Sequence, residues 1–329
     1  IISGMKRPVD ALLLVSVGGP ENPEEVYPFL ERIMAGNRTG IPEKRLALVA
    51  RRYLDRGGVS PANSELRKIM ASLRNLLARE GPDMPVYLGN RFSRPFLADT
   101  VREMASKRIR NALAFVTSPY GSDFSCLHYR NAIEAARAEA GASAPEIRKI
   151  RLFFNHPRFI RAQVLRLEEA MLASKTGPGL TPLMFTAHSL PSEYPSSALY
   201  ERQIREACSL VASRCGFADW ELAFQSRSGD PSRPWLGPTP EAGIRRLAEL
   251  GARKVLVHPI GFMFDNMEIV YDLDEEASNL ADGLGLRMIR VKTARDHPEI
   301  IGMIRSLILE QEDERVPRDC LGTMGPPDD

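Results

Sequence analysis

Five residues have the types and places that acid–base or metal chemistry needs. His188 follows the apolar run PLMFTA, and Asp265, Glu268, Asp272 and Glu276 lie within PIGFMFDNMEIVYDLDEE, residues 259–276. The last three acids fall at i, i+4 and i+8, so a helix stacks them on one face. Like charges at that spacing repel and weaken a helix slightly. A solvated helix face is the plain explanation for such a row. Against it, Phe262, Met263, Phe264 and Met267 flank the acids, which starts Glu268 beside an apolar wall. A carboxylate there has a raised pKa unless a cation or metal pairs with it. An imidazole facing such a row can hold a divalent cation or move protons. The other histidines, His128, His156, His258 and His297, read as structural; His156 and His297 each precede a proline at a turn.

The elements that must position these residues alternate along the chain. Strands are expected at 10–17, 85–90, 111–118, 150–155, 182–187, 221–226, 254–260 and 286–291. Each is nearly continuous in Val, Leu, Ile and Phe, as strands covered on both faces are. Helical periodicity fills 23–35, 61–79, 96–106, 124–140, 157–174, 198–215, 239–251 and 267–283. Asn22-Pro23-Glu24-Glu25 supplies an N-cap, a proline at the first helical position and acids in the first turn. The alternation predicts an α/β protein with parallel, doubly wound sheets. SKTGPGLTP, residues 174–182, divides the strands into two runs of four. Two similar α/β domains are therefore expected over 8–178 and 179–312, followed by a tail at 313–329.

Open parallel sheets bind ligands outside the carboxyl ends of their strands. Those ends carry Gly18-Gly19-Pro20, Asn90-Arg91-Phe92, Ser118-Pro119-Tyr120-Gly121-Ser122, His188-Ser189 and Gln225-Ser226-Arg227. The first lacks the full G-x-G-x-x-G spacing of a dinucleotide site. Trp235, in the loop PSRPWLGPTPE, either anchors that loop or walls a flat ligand; anchoring is the favoured reading.

Composition narrows the class. The 329 residues are 43% hydrophobic and 26% charged with a net charge of +2, so no case arises for nucleic acid. No apolar stretch approaches the ~20 residues of a membrane span, and the cytoplasm is the default compartment. Cys126, Cys208, Cys215 and Cys320 form no C-x-x-C pair, which leaves zinc unsignalled.

These strand ends, in this order, resemble the ferrochelatase family from residue 11 to about residue 300. LLLVSVGGPENPEEVYPFL, GGVSPANS, YLGNRFSRPF, FTAHSLP, AFQSRSGDPSRPWLGP and HPIGFMFDNMEIVYDLDEEA carry the likeness. FVTSPYGSDFSCLHYRNAI and RLFFNHPRF are most similar to the ferrochelatases of high-GC Gram-positive bacteria. The resemblance implies two Rossmann-like domains, each a four-stranded parallel sheet flanked by helices, with a porphyrin cleft between them. It implies insertion of Fe2+ into a porphyrin, with coproporphyrin III favoured. The alternatives are protoporphyrin IX, or a catalytically weak porphyrin- or heme-binding homologue.

Carried over by the resemblance, His188 and Glu268 are the catalytic and metal-handling pair. Asp265, Asp272 and Glu276 form a proton or metal conduit along a π-helical segment. Val17, Arg91, Phe92, Ser118, Tyr120, Ser122 and Phe262 are expected to contact the porphyrin. The family's Asp-His-x-Glu is Asp265-Asn266-Met267-Glu268 in this chain, and Asn cannot take a proton at pH 7. No cofactor is expected beyond the substrates Fe2+ and porphyrin. A [2Fe–2S] cluster normally needs four thiolates, and the C-terminal stretch offers only Cys320. A monomer is expected.

Overall fold

The structure, a computed structural model, describes residues 8–37, 43–227 and 232–311. The expected tail at 313–329 and Cys320 lie outside the described residues. Among the described residues, eight strands form two four-stranded sheets. The first holds β1 (Ala11–Ser16), β2 (Val86–Asn90), β3 (Asn111–Val116) and β4 (Glu146–Lys149), in the order β2-β1-β3-β4. The second holds β5 (Leu183–His188), β6 (Glu221–Gln225), β7 (Lys254–His258) and β8 (Arg287–Arg290), in the matching order β6-β5-β7-β8. All neighbouring strands are parallel. Helices cover the sheets, as the unbroken apolar strands require.

Each sheet reverses its strand order beside its first strand, between β1 and β3 and again between β5 and β7. Chain leaving neighbouring strands there departs in opposite directions and opens a crevice at the carboxyl ends. His188 is the last residue of β5, in register with Gln225 at the end of β6. The sheet therefore sets the histidine at such a crevice.

Two expectations about elements need correction. The apolar run 150–155 is not a strand; the fourth strand is the preceding EIRK, Glu146–Lys149. That strand lies at the sheet edge and is only partly buried, so it lacks the apolar signature. Phe153 owes its hydrophobicity to the core instead, stacking on Phe115 at 5.0 Å and meeting Phe159 edge-on at 5.6 Å. The crossover from β1 to β2 holds α1 (Val26–Asn37), α2 (Glu43–Leu54) and α3 (Ala62–Glu80), and the sequence reading passed over α2. α2 brings Arg52 and Tyr53 to the site.

The remaining helices are α4 (Leu97–Ser106), α5 (His128–Ala140), α6 (Pro157–Ser174), α7 (Pro195–Arg214), α8 (Pro240–Glu249), α9 (Ser278–Gly283) and α10 (Pro298–Glu310). The helix expected at 267–283 is mostly a π-helix, Ile269–Ala277, running into α9. One continuous core spans both sheets, taking Leu12, Leu14 and Phe115 from the first and Leu183, Phe185 and Leu256 from the second. Polar contacts add to it. Tyr120 Oη donates to Ile260 O at 3.1 Å, and Gly121 N–H donates to Gln203 Oε1 at 2.7 Å. These contacts hold the carboxyl ends of the two sheets at opposite walls of one cleft.

Candidate active site

The cleft encloses about 420 Å³ and takes its walls from the carboxyl ends of β1, β3, β5 and β7. Val17, Arg91, Phe92, Ser118, Tyr120, Ser122, His188, Phe262 and Glu268 all line it. The strand-end rule thus gathers residues spread over most of the chain.

His188 Nδ1 lies 2.6 Å from Ser189 O. A carbonyl oxygen can only accept, so Nδ1 carries the proton and Nε2 is the nitrogen that titrates. Nε2 faces Glu268 Oε1 at 3.3 Å. Burial by itself would depress the imidazole, but the Glu268 carboxylate outweighs it and holds His188 above its ordinary value. Tyr200 Oη donates to His188 O at 3.0 Å and fixes the backbone of the pair. Among the described residues no group of three His, Cys, Asp or Glu side chains converges as a metal site. A divalent ion at His188 and Glu268 would thus find two protein donors and draw its others from water or a bound ligand.

The π-helix extends the acids away from this pair. Asp272 is buried and accepts from Ser226 Oγ and from Gln225 Nε2 at 3.5 Å. Burial pushes its carboxyl up to about 6; the Glu268 and Glu276 charges add to the rise, while Ser226 and Arg52 oppose it. Arg52 of α2 reaches both acids, with Nη1 3.6 Å from Asp272 Oδ1 and Nη2 3.7 Å from Glu276 Oε1. Its guanidinium also lies 4.0 Å over the Tyr271 ring. The helix tolerates its row of like charges because a cation from the other domain sits against it.

Asp265, expected at the head of that row, stands elsewhere. It does not line the cleft. It accepts two 3.2 Å hydrogen bonds from Arg290, one of 2.8 Å from Thr293 Oγ1, and another from Arg295. Burial would raise its carboxyl, but Arg290, Thr293 and Arg295 hold it below the usual carboxylate value. Asn266, at the position where the family's histidine was expected, accepts from Ile269 N–H at 3.1 Å and so caps the helix that begins there.

The porphyrin-facing candidates divide by chemistry. Arg91 is half-buried, and desolvation pulls its pKa down; it lies 4.5 Å over Phe92 and 5.1 Å over Tyr129. No carboxylate pairs with it among the described residues. Ser118 is partly exposed in the cleft wall. Tyr120 is buried with its hydroxyl committed to Ile260 O, so it offers the cleft an apolar edge. Ser122 caps the short π-helix Asp123–Leu127. Val17 is 37% exposed and faces the opening. Trp235 pairs its backbone with Pro191 and also lines the cleft, so the anchor and wall readings both apply.

Sequence reasoning missed Tyr53, which lines the same cleft. Burial raises its hydroxyl well above the ordinary value, and the charges of Glu268 and Asp272 add to the rise. It is a donor throughout the physiological range. The amphipathic stretch EKRLALVARRYL was the available signal for it.

A cleft at the switch points of two parallel sheets, with an imidazole–carboxylate pair in its wall, suits the metal and proton handling of a chelatase. The ferrochelatase family model matches residues 9–312. A ferrochelatase of Rhodopirellula baltica is 41% identical over 320 residues, covering 97% of this chain and 91% of that protein. Coproporphyrin III ferrochelatases of Nocardia farcinica and Mycolicibacterium smegmatis are 41% and 42% identical. They match 94% and 92% of this chain, and 90% and 89% of their own lengths. The chain belongs to the ferrochelatase family and is a metal-inserting enzyme of heme biosynthesis. In fold it is similar to SirB of Bacillus subtilis, solved with Fe3+, at a TM-score of 0.59 and 9% identity over 93% of this chain and 98% of that one. CbiX, the terminal enzyme of siroheme biosynthesis in denitrifying bacteria, gives 0.54 and 14% identity over 92% and 98%. No helix among the described residues is long and apolar enough to cross a membrane.

Proposed function

We propose that this enzyme inserts Fe2+ into coproporphyrin III to give coproheme. The observation that carries the choice of porphyrin is Arg91, a half-buried cation in the cleft wall with no carboxylate partner among the described residues. An ionised guanidinium partly withdrawn from water favours an anionic partner, and a propionate supplies one in bidentate geometry. Ser16, Ser60, Thr117, Ser118, Ser122 and Ser125 add hydroxyls to the cleft lining. Four propionates have more use for such groups than two. The names of the Nocardia and Mycolicibacterium relatives lean the same way.

In this reading the macrocycle lies with its nitrogens toward His188 and Glu268. Metallation releases two pyrrole N–H protons as Fe2+ enters, so two bases are required. His188 Nε2, already unprotonated in the neutral tautomer, takes one, and the Glu268 carboxylate takes the other. Asp272, titrating at about 6, binds a proton readily near neutral pH and lies one helical step beyond Glu268. Protons leave along that step, and iron entering the opposite way meets the same donors. Val17 and the aromatic walls press on the ring, and binding energy used to bend it exposes a nitrogen lone pair.

The proposal includes a monomer acting in the cytoplasm without an iron–sulfur cluster. In support of the last point, Cys208 lies within the apolar core and Cys215 packs against it. The test is anaerobic metallation of each porphyrin, followed by absorbance. Coproporphyrin III should give a kcat/KM at least about tenfold above protoporphyrin IX, and Arg91→Ala should narrow that ratio. Equal or reversed preference would sink the coproporphyrin assignment.

A further inference from the structure

Glu268 follows a loop, Gly261–Met267, that forms one wall of the cleft. A turn from the other domain, Ser60 to Ala62, forms another part of that lining and leads into α3. One side chain reaches toward both. Arg295 pairs with Asp265 in the loop, and its Nη1 lies 3.8 Å from Glu65 Oε1 in the first turn of α3. Its backbone N–H donates to Met263 O at 2.7 Å, a second attachment to the same loop. We infer that Arg295 is a positioning residue, a latch that pins the Glu268-bearing loop to the start of α3 and so fixes the distance between two walls of the cleft.

Three further observations support the latch. Arg295 has φ +51°, in the left-handed region that non-glycine residues seldom occupy. Strain of that kind persists only where the surroundings over-determine the conformation, and the Met263, Asp265, Thr293 and Glu65 contacts do so. Glu65 is buried, with Oε2 making no hydrogen bond and Oε1 shared between Lys68 Nζ at 3.0 Å and Arg295. A buried carboxylate in that state needs its counter-charges nearby, so it draws the guanidinium across the domain boundary. Arg290 also holds Asp265 but makes its other ion pair with Asp274 in the same domain, so of these two arginines it is Arg295 that reaches the other domain.

Arg is suited to this task because its planar fork presents five N–H donors that can meet two carboxylates at once. The variant that isolates the latch is Glu65→Gln, which lies in the other domain and leaves Asp265, Met263 and the loop itself untouched. Hydrogen exchange of the amides in residues 261–268 should accelerate about tenfold or more in Glu65→Gln. Arg295→Gly, which relieves the positive φ, should accelerate the same amides, and the double variant should go little further than Arg295→Gly alone. The kinetic counterpart is a several-fold lower kcat for metallation with porphyrin KM within about twofold, because the latch aims Glu268 and does not touch the macrocycle. Unchanged protection of 261–268 in Glu65→Gln, or additive effects in the double variant, would overturn the inference. The kinetic arm rests on iron insertion at His188 and Glu268, whereas the exchange arm does not. Failure of the latch is therefore distinguishable from failure of that reading.

Discussion

At the scale of single residues, the proposed chemistry rests on His188 Nε2 and Glu268 Oε1, 3.3 Å apart. Burial opposes charge on the imidazole and the carboxylate favours it, with the carboxylate prevailing. His188 should therefore titrate above the ordinary imidazole value of about 6.5, and Glu268→Gln should bring it down. Histidine NMR across the neutral range checks this; a wild-type His188 titrating below the ordinary value contradicts it. The linked stability has a definite sign. A histidine raised on folding contributes fully below its unfolded value, and that contribution disappears as pH rises through the folded one. Both members of the pair were legible in the sequence, since one ends a buried strand and the other heads an acidic helix. Asp265 was not placed correctly, because its partners Arg290, Thr293 and Arg295 come from a later strand end that periodicity cannot bring near. Asn266 illustrates the opposite limit. Its type announced the loss of a titratable group, but only the structure gives it a task, the cap on Ile269 N–H.

At the scale of elements, the π-helix Ile269–Ala277 and α2 act together. The π-helix closes i→i+5 hydrogen bonds, a geometry that sequence periodicity does not announce and that clusters at functional sites. Arg52 on α2 supplies the positive charge against Asp272 and Glu276. Asp272 stays hard to ionise all the same, at about 6 against an ordinary 3.8. A carboxyl raised on folding binds more protons folded than unfolded between those values, so stability falls as pH rises from 3.8 to about 6. Above that window the carboxylate costs roughly 3 kcal/mol. Asp272→Asn should remove this slope and stabilise the protein at pH 8 while leaving it little changed near pH 3.5, as read by urea unfolding. Equal effects at both pH values would show that Asp272 ionises freely. The elements themselves were largely legible: seven of the eight expected strand segments overlap strands of the structure. The eighth failed because Leu152, Phe153 and Phe154 are apolar for the sake of the core rather than a ladder. α2 was passed over although EKRLALVARRYL, Glu43–Leu54, carries an amphipathic pattern.

At the scale of the molecule, two sheets of matching topology share one core and form one cleft. Two runs of four strands were legible in the sequence, but the core that joins the two sheets was not. It depends on contacts between residues far apart in the chain, such as Tyr120 edge-on to Tyr200 at 6.1 Å and Tyr120 Oη donating to Ile260 O. Phe153→Ala should cost about 3–5 kcal/mol and keep a single unfolding transition, because the cavity opens in the shared core. Two separated transitions in calorimetry would indicate domains that fold independently. The central claim is that this cleft binds porphyrin and that His188 and Glu268 insert the iron. Its most direct test pairs anaerobic metallation with porphyrin fluorescence titration for the native enzyme and Glu268→Ala. The account predicts porphyrin affinity within a few-fold of native and metallation slowed by about 10²-fold or more. Metallation by Glu268→Ala at close to the native rate would contradict it.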